Sequence, residues 1–177
     1  MKKTLILFLF TYSFLVSKAQ VQKLTLENLE ATLNATLNEA EENLFLKGYS
    51  FAGRDTLADA GILHNFSTRG KTVKNAKAVS KAVYENALAK TYVQYVTYEY
   101  SEFRQFRQLM IETNFERNST DSISENSSYF KDNLEIKFKV DKFDTNKAYI
   151  ITLKNRGLIG GKKPGKKLSL KNILKTE

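Results

Sequence analysis

The chain has 177 residues, no cysteine and one histidine, which excludes disulfides, thiolate chemistry and the usual zinc site of His and Cys ligands. Its formal charge of +9 is unevenly spread: residues 20–153 hold 17 basic against 18 acidic residues, while residues 154–177 hold eight basic residues and one acid, Glu177. A nearly neutral body with a basic tail lacks the continuous basic surface that nucleic acid requires, so nucleic acid is an unfavoured partner.

In chain order, Lys2 and Lys3 precede an apolar run from Leu5 to Val16, and Ser17 and Ala19 put small residues three and one positions before Gln20. This is the layout of a secretory signal peptide, and the run is too short to span a bilayer comfortably. No cysteine follows it to carry a lipid. The ending Ala19-Gln20 resembles the signal peptides of small exported proteins of the Bacteroidota. The resemblance implies cleavage after Ala19. Residues 1–19 are therefore expected to leave, and the mature chain is expected to be periplasmic or secreted, with no transmembrane helix.

Leu26, Leu29, Leu33, Leu37, Ala40 and Leu44 recur at spacings of three and four, which predicts one helix with a single apolar stripe. Thr25 is its expected cap, with Asn28 in place of Glu making an incomplete capping box. Gly48 is expected to end it in the left-handed conformation. A second helix is expected from a cap at Ser101, with Phe103, Phe106, Leu109 and Met110 inward and Asn114 in the place of Gly48. An offset of 66 residues pairs Leu44 with Met110, Gly48 with Asn114, Tyr49 with Phe115 and Asp55 with Asp121.

Strands are expected around these helices. Residues 62–68 form one. "TYVQYVTY" is apolar or aromatic on both faces and reads as a central strand. "LEIKFKVD" alternates Leu134, Ile136, Phe138 and Val140 with Glu135, Lys137, Lys139 and Asp141, so one face of its sheet is wet. A turn at 144–146 returns it through "KAYIITLK". Residues 73–90 fit either a helix or half of a hairpin; the hairpin is preferred because it completes a repeat. The resulting fold is α+β: two helix-plus-antiparallel-meander units forming one sheet with helices packed on one face. The domain is placed at 20–153, the units at about 24–84 and 92–153, and a basic tail at 154–177.

Candidate chemistry is sparse. His64, in an alternating segment, reads as a strand histidine and not a catalytic base. Asp55, Asp59, Glu99 and Glu102 are the nearest approach to a carboxylate cluster of the kind a glycosidase uses. "LIGGKKPGKK" lacks the spacing of a phosphate loop. The aromatic run "YVQYVTYEYSEFRQF" reads as core. No catalytic residue, metal ligand or cofactor is assigned. Asp55-Thr56-Leu57 and Asp121-Ser122-Ile123 resemble the Asp, Ser or Thr, apolar pattern of protein O-glycosylation in the Bacteroidota, which implies Thr56 and Ser122 as acceptors; an Asp-hydroxyl turn accounts for the same residues. Lys162, Lys163, Lys166, Lys167 and Lys171 form a candidate anion-binding tail, with anionic lipid or polysaccharide as its partner. These readings together lead to an exported, non-catalytic binding or inhibitory protein, immunity-like in kind, whose partner is a protein or envelope component. The alternative is a carboxylate-dependent hydrolase acting on envelope glycans.

Overall fold

The computed structural model describes residues 22–68, 76–85, 87, 90–118, 126–143 and 146–156. The expected signal peptide, Ser122 and the lysines of the tail lie outside these residues.

The first apolar stripe forms two helices where one was expected, α1 (Leu26–Asn34) and α2 (Leu37–Leu46). Both begin with a complete capping box. At α1 the Thr25 hydroxyl accepts from the Asn28 N–H at 3.3 Å, and the Asn28 side chain accepts from the Thr25 N–H at 3.2 Å. Asparagine therefore completes the box that the sequence reading called incomplete. The break comes from a second start signal inside the stripe, Thr36-Leu37-Asn38-Glu39. The Glu39 carboxylate accepts from the Thr36 N–H at 2.8 Å, and Ala35 and Thr36 take extended conformations. Leu26, Leu29, Leu33, Ala40 and Leu44 are nevertheless all buried, so the stripe survives the corner.

That corner orphans the last carbonyls of α1. Lys81, only 3 % exposed, supplies the missing donors. Its ammonium donates to the carbonyls of Thr32, Leu33 and Ala35 at 2.5, 3.1 and 2.6 Å. Burial holds this ammonium below the ordinary lysine value, and the charge of Glu39 acts the other way.

The two helix ends expected to match do so in detail. Gly48 has φ +85° and Asn114 φ +59°. The Tyr49 N–H donates to the Leu44 carbonyl at 3.0 Å and the Phe115 N–H to the Met110 carbonyl at 2.9 Å. Gly48 and Asn114 donate to Phe45 and Ile111 in the same way. Both ends are Schellman motifs, closed by an apolar residue that returns to the core. The beginning of the later helix, α3 (Tyr100–Glu112), differs from expectation. Its N-cap is Glu99, without a side-chain capping bond, and Ser101 is already inside the helix.

Among the described residues eight strands make one antiparallel sheet: β1 (Ser50–Thr56), β2 (Ile62–Ser67), β3 (Ala78–Val83), β4 (Tyr92–Thr97), β5 (Glu116–Arg117), β6 (Ser127–Lys131), β7 (Leu134–Phe143) and β8 (Asn146–Asn155). Their order is β1-β2-β3-β4-β8-β7-β6-β5. α2 and α3 therefore each lead into an edge strand, each meander runs inward, and β4 meets β8 at the centre. β3 pairs with β4, the hairpin reading of that region. Tyr92–Thr97 closes the first meander, so the division between units falls after Thr97 and not at 92. β8 runs to Asn155, and the Arg156 N–H donates to the Asn133 carbonyl at 2.6 Å; the folded part extends past the expected boundary at 153.

The helices cover one face. Phe66, Val79, Tyr95, Ile151 and Phe138 are cross-strand partners in succession, as are Val93, Leu153, Ile136 and Tyr129. These two rows join Leu29, Leu33, Leu44, Phe103, Phe106 and Met110 in a single core. Each such side chain contributes roughly 1.5–3 kcal/mol by leaving water.

Candidate binding face

Side chains alternate across a strand, so the residues between the core positions form the opposite face, the helix-free face among the described residues. Its central row crosses seven of the eight strands and carries a polar side chain on all of them but β1. Gly53, Asn65, Ser80, Gln94, Thr152, Lys137 and Ser128 are successive cross-strand partners on seven strands. The row is held by its own bonds. Ser80 donates to the Asn65 amide oxygen at 2.6 Å, and the Asn65 amide nitrogen donates to Asp55 at 2.7 Å. Gln94 donates to Thr152 at 3.4 Å. The neighbouring rows are more apolar: Leu63, Ala82 and Tyr92 on one side, Ala78, Val96 and Ile150 on the other. Asp55 brings one carboxylate to this face from β1, and the ion pairs of the face among the described residues lie in the β7 half. There Glu135 receives Lys154 at 2.9 Å and Lys137 at 3.3 Å, and Lys139 pairs with Asp141 at 2.7 Å.

Beneath the sheet centre, on the helix side, lies a buried polar cluster. Glu102, near the N-terminus of α3, is 3 % exposed. It accepts from the Tyr95 hydroxyl at 2.7 Å, the Thr97 hydroxyl at 2.9 Å and the Lys77 ammonium. Burial pushes its carboxyl up, but the three donors and the charge of Lys77 outweigh that and hold it below the ordinary value. Lys77 also pairs with Glu99 at 3.4 Å. Burial also drives the phenols of Tyr49 and Tyr95 upward, so both stay neutral and Tyr95 stays a donor. The cluster ties α3 to β4 (an ionised, fully engaged carboxylate is a poor proton donor).

The other singled-out residues fall in separate places. Asp55 is tied to Asn65 on β1 and β2. Asp59, in the turn after β1, accepts from Tyr84 at 3.1 Å and pairs with Lys90 at 3.6 Å. Only Glu99 and Glu102 come together, and Lys77 stands between them. His64 is half-buried on β2; burial first, then the charge of Arg54, holds its imidazole below the ordinary 6.5, against the pull of Glu41. Thr56 is exposed at the end of β1. Tyr95, Phe103 and Phe106 of the aromatic run are core, whereas Tyr100 is 59 % exposed. Among the described residues no three His, Cys, Asp or Glu gather as metal ligands, and no helix is long and apolar enough to cross a membrane. The polar row escaped the sequence reading because its members lie on strands far apart in the chain; only the alternation in "YVQYVTY" hinted at it. No family model, curated protein or solved structure matches the chain.

Proposed function

We propose that the chain is an exported, non-catalytic binding or inhibitory protein, immunity-like in kind, and that the helix-free face of its sheet is the contact surface. The observation that carries this is the neutral row of Asn65, Ser80, Gln94 and Thr152 between two apolar rows. A row of amides and hydroxyls offers donors and acceptors without fixed charge, and the flanking Tyr92, Val96 and Ile150 supply area to bury. Asp55, Asp59, Glu99 and Glu102 are engaged with partners of their own, which gives the hydrolase reading no comparable support. Gln94→Lys with Thr152→Lys places two charges at the centre of the face without touching the core. Affinity capture from the exported fraction with the native protein should recover a partner that this variant loses, at an unchanged melting temperature. Equal recovery by both would remove the face from consideration.

Export rests on Lys2, Lys3, the apolar run and the Ser17 to Ala19 cut site. The mature protein should begin at Gln20 by mass spectrometry; an intact Met1, or a cytoplasmic fraction, refutes it. The lysines at 162–171 are proposed to hold anionic lipid or polysaccharide by charge alone, so that binding should weaken as salt rises.

A further inference from the structure

The outer side of α3 carries Tyr100, Arg104, Arg107 and Ile111 at spacings of four, three and four, which aligns them along the helix. Tyr100 and Ile111 are 59 % and 64 % exposed. Between this line and Tyr129 of β6 opens a cavity of about 170 Å³, with Phe103 in its wall and Gln108 at its rim. Among the described residues no carboxylate lines it.

The arginines are presented on a stiff backing. The Arg107 guanidinium lies 5.9 Å from the centre of the Phe103 ring. Phe103 packs on Tyr149 at 5.0 Å, and Tyr149 on Tyr100 at 5.6 Å. Arg117 of β5 is the cross-strand partner of Tyr129, and cross-strand partners share a face, so a third guanidinium belongs to this side of the sheet edge. Among the described residues no acid pairs with Arg104.

Each wall specifies part of a ligand. Guanidinium forks match a planar carboxylate in two-pronged pairs. The tyrosine and phenylalanine rings accept an apolar C–H face. The Gln108 amide can both donate to and accept from hydroxyls. The space suits one small ring. β5 has only two residues to offer main-chain bonds to an added strand.

We infer that this cleft binds a carboxylate carried on a compact saturated ring, the chemistry of an acidic sugar residue. The inference is independent of the sheet face, which lies on the other side of the molecule. The test titrates the full mature chain with glucuronate, glucose, inorganic phosphate and a glutamate-rich peptide, followed by amide NMR shifts and calorimetry. Glucuronate should bind and shift the amides of α3, and glucose should not. Arg104→Gln should lower glucuronate affinity about tenfold or more, Tyr100→Ala should lower it less, and Arg54→Gln on β1 should leave it unchanged. Arg104 is exposed, so its variant should melt as the native protein does. Glucuronate behaving like glucose, or binding intact in Arg104→Gln, overturns the site. Tighter binding of phosphate or of the acidic peptide overturns the ligand class.

Discussion

Glu102 shows how one buried side chain makes stability depend on pH. Its folded-state carboxyl titrates below the ordinary 4.5 because Lys77, Tyr95 and Thr97 all favour the charged form against the cost of burial. The stability it contributes is therefore fully present above pH 4.5 and is lost as the pH falls through its folded value. Glu102→Gln should cost about 2–3 kcal/mol at pH 7, by leaving Lys77 with only the partly exposed Glu99. Urea titrations of both proteins at pH 7 and pH 3 should show the difference shrinking in acid; an equal gap at both would mean the carboxylate is not charged in the fold. Gly61 makes a steric case. A Cβ there would lie 2.5 Å from Cε1 of Tyr84, whose ring is 7 % exposed. Gly61→Ala should cost about 1–3 kcal/mol by forcing that ring from its place, read from the midpoint of chemical unfolding.

At the scale of elements, the helix ends decide most. The corner between α1 and α2 exists because Thr36 and Glu39 cap a new helix inside a stripe that could have run straight on. Thr36→Ala should cost about 1 kcal/mol, measured by thermal melting. The paired Schellman ends predict opposite outcomes for two replacements of Asn114. Asn114→Gly keeps the left-handed conformation open and should be neutral or slightly stabilising, whereas Asn114→Val meets a Cβ clash there and should cost more than about 1 kcal/mol. Equal effects from the two would show that φ at this position does not limit the fold.

For the whole molecule, both meanders share one core and join through β4 and β8. Val93 faces Leu153 and Tyr95 faces Ile151 across that seam, and all four are fully buried. The units should therefore melt together in a single calorimetric transition. Leu153→Ala should lower stability by about 2–5 kcal/mol without splitting that transition in two. The core cluster of the described residues runs from Leu24 to Leu153, and removing residues 158–177 should leave the melting temperature almost unchanged. A large drop would assign Leu168, Leu170, Ile173 and Leu174 to the core.

Local chemistry made much of this legible in the sequence. The left-handed positions at Gly48 and Asn114, the alternation of β7 and the centrality of "TYVQYVTY" each follow from a few neighbouring residues, because backbone sterics and side-chain period act over one or two turns. The α+β class follows from their order. The short strands β5 and β6 went unnamed, since two and five residues carry too little period to count. The corner at Thr36 was obscured by an apolar stripe that keeps its phase through it. Lys81 capping α1, Glu102 beneath β4 and the polar row from Asn65 to Thr152 were decided only by tertiary structure. Each joins residues dozens of positions apart, and their partners are chosen by strand register and by the need to satisfy every buried polar group, which no local pattern encodes.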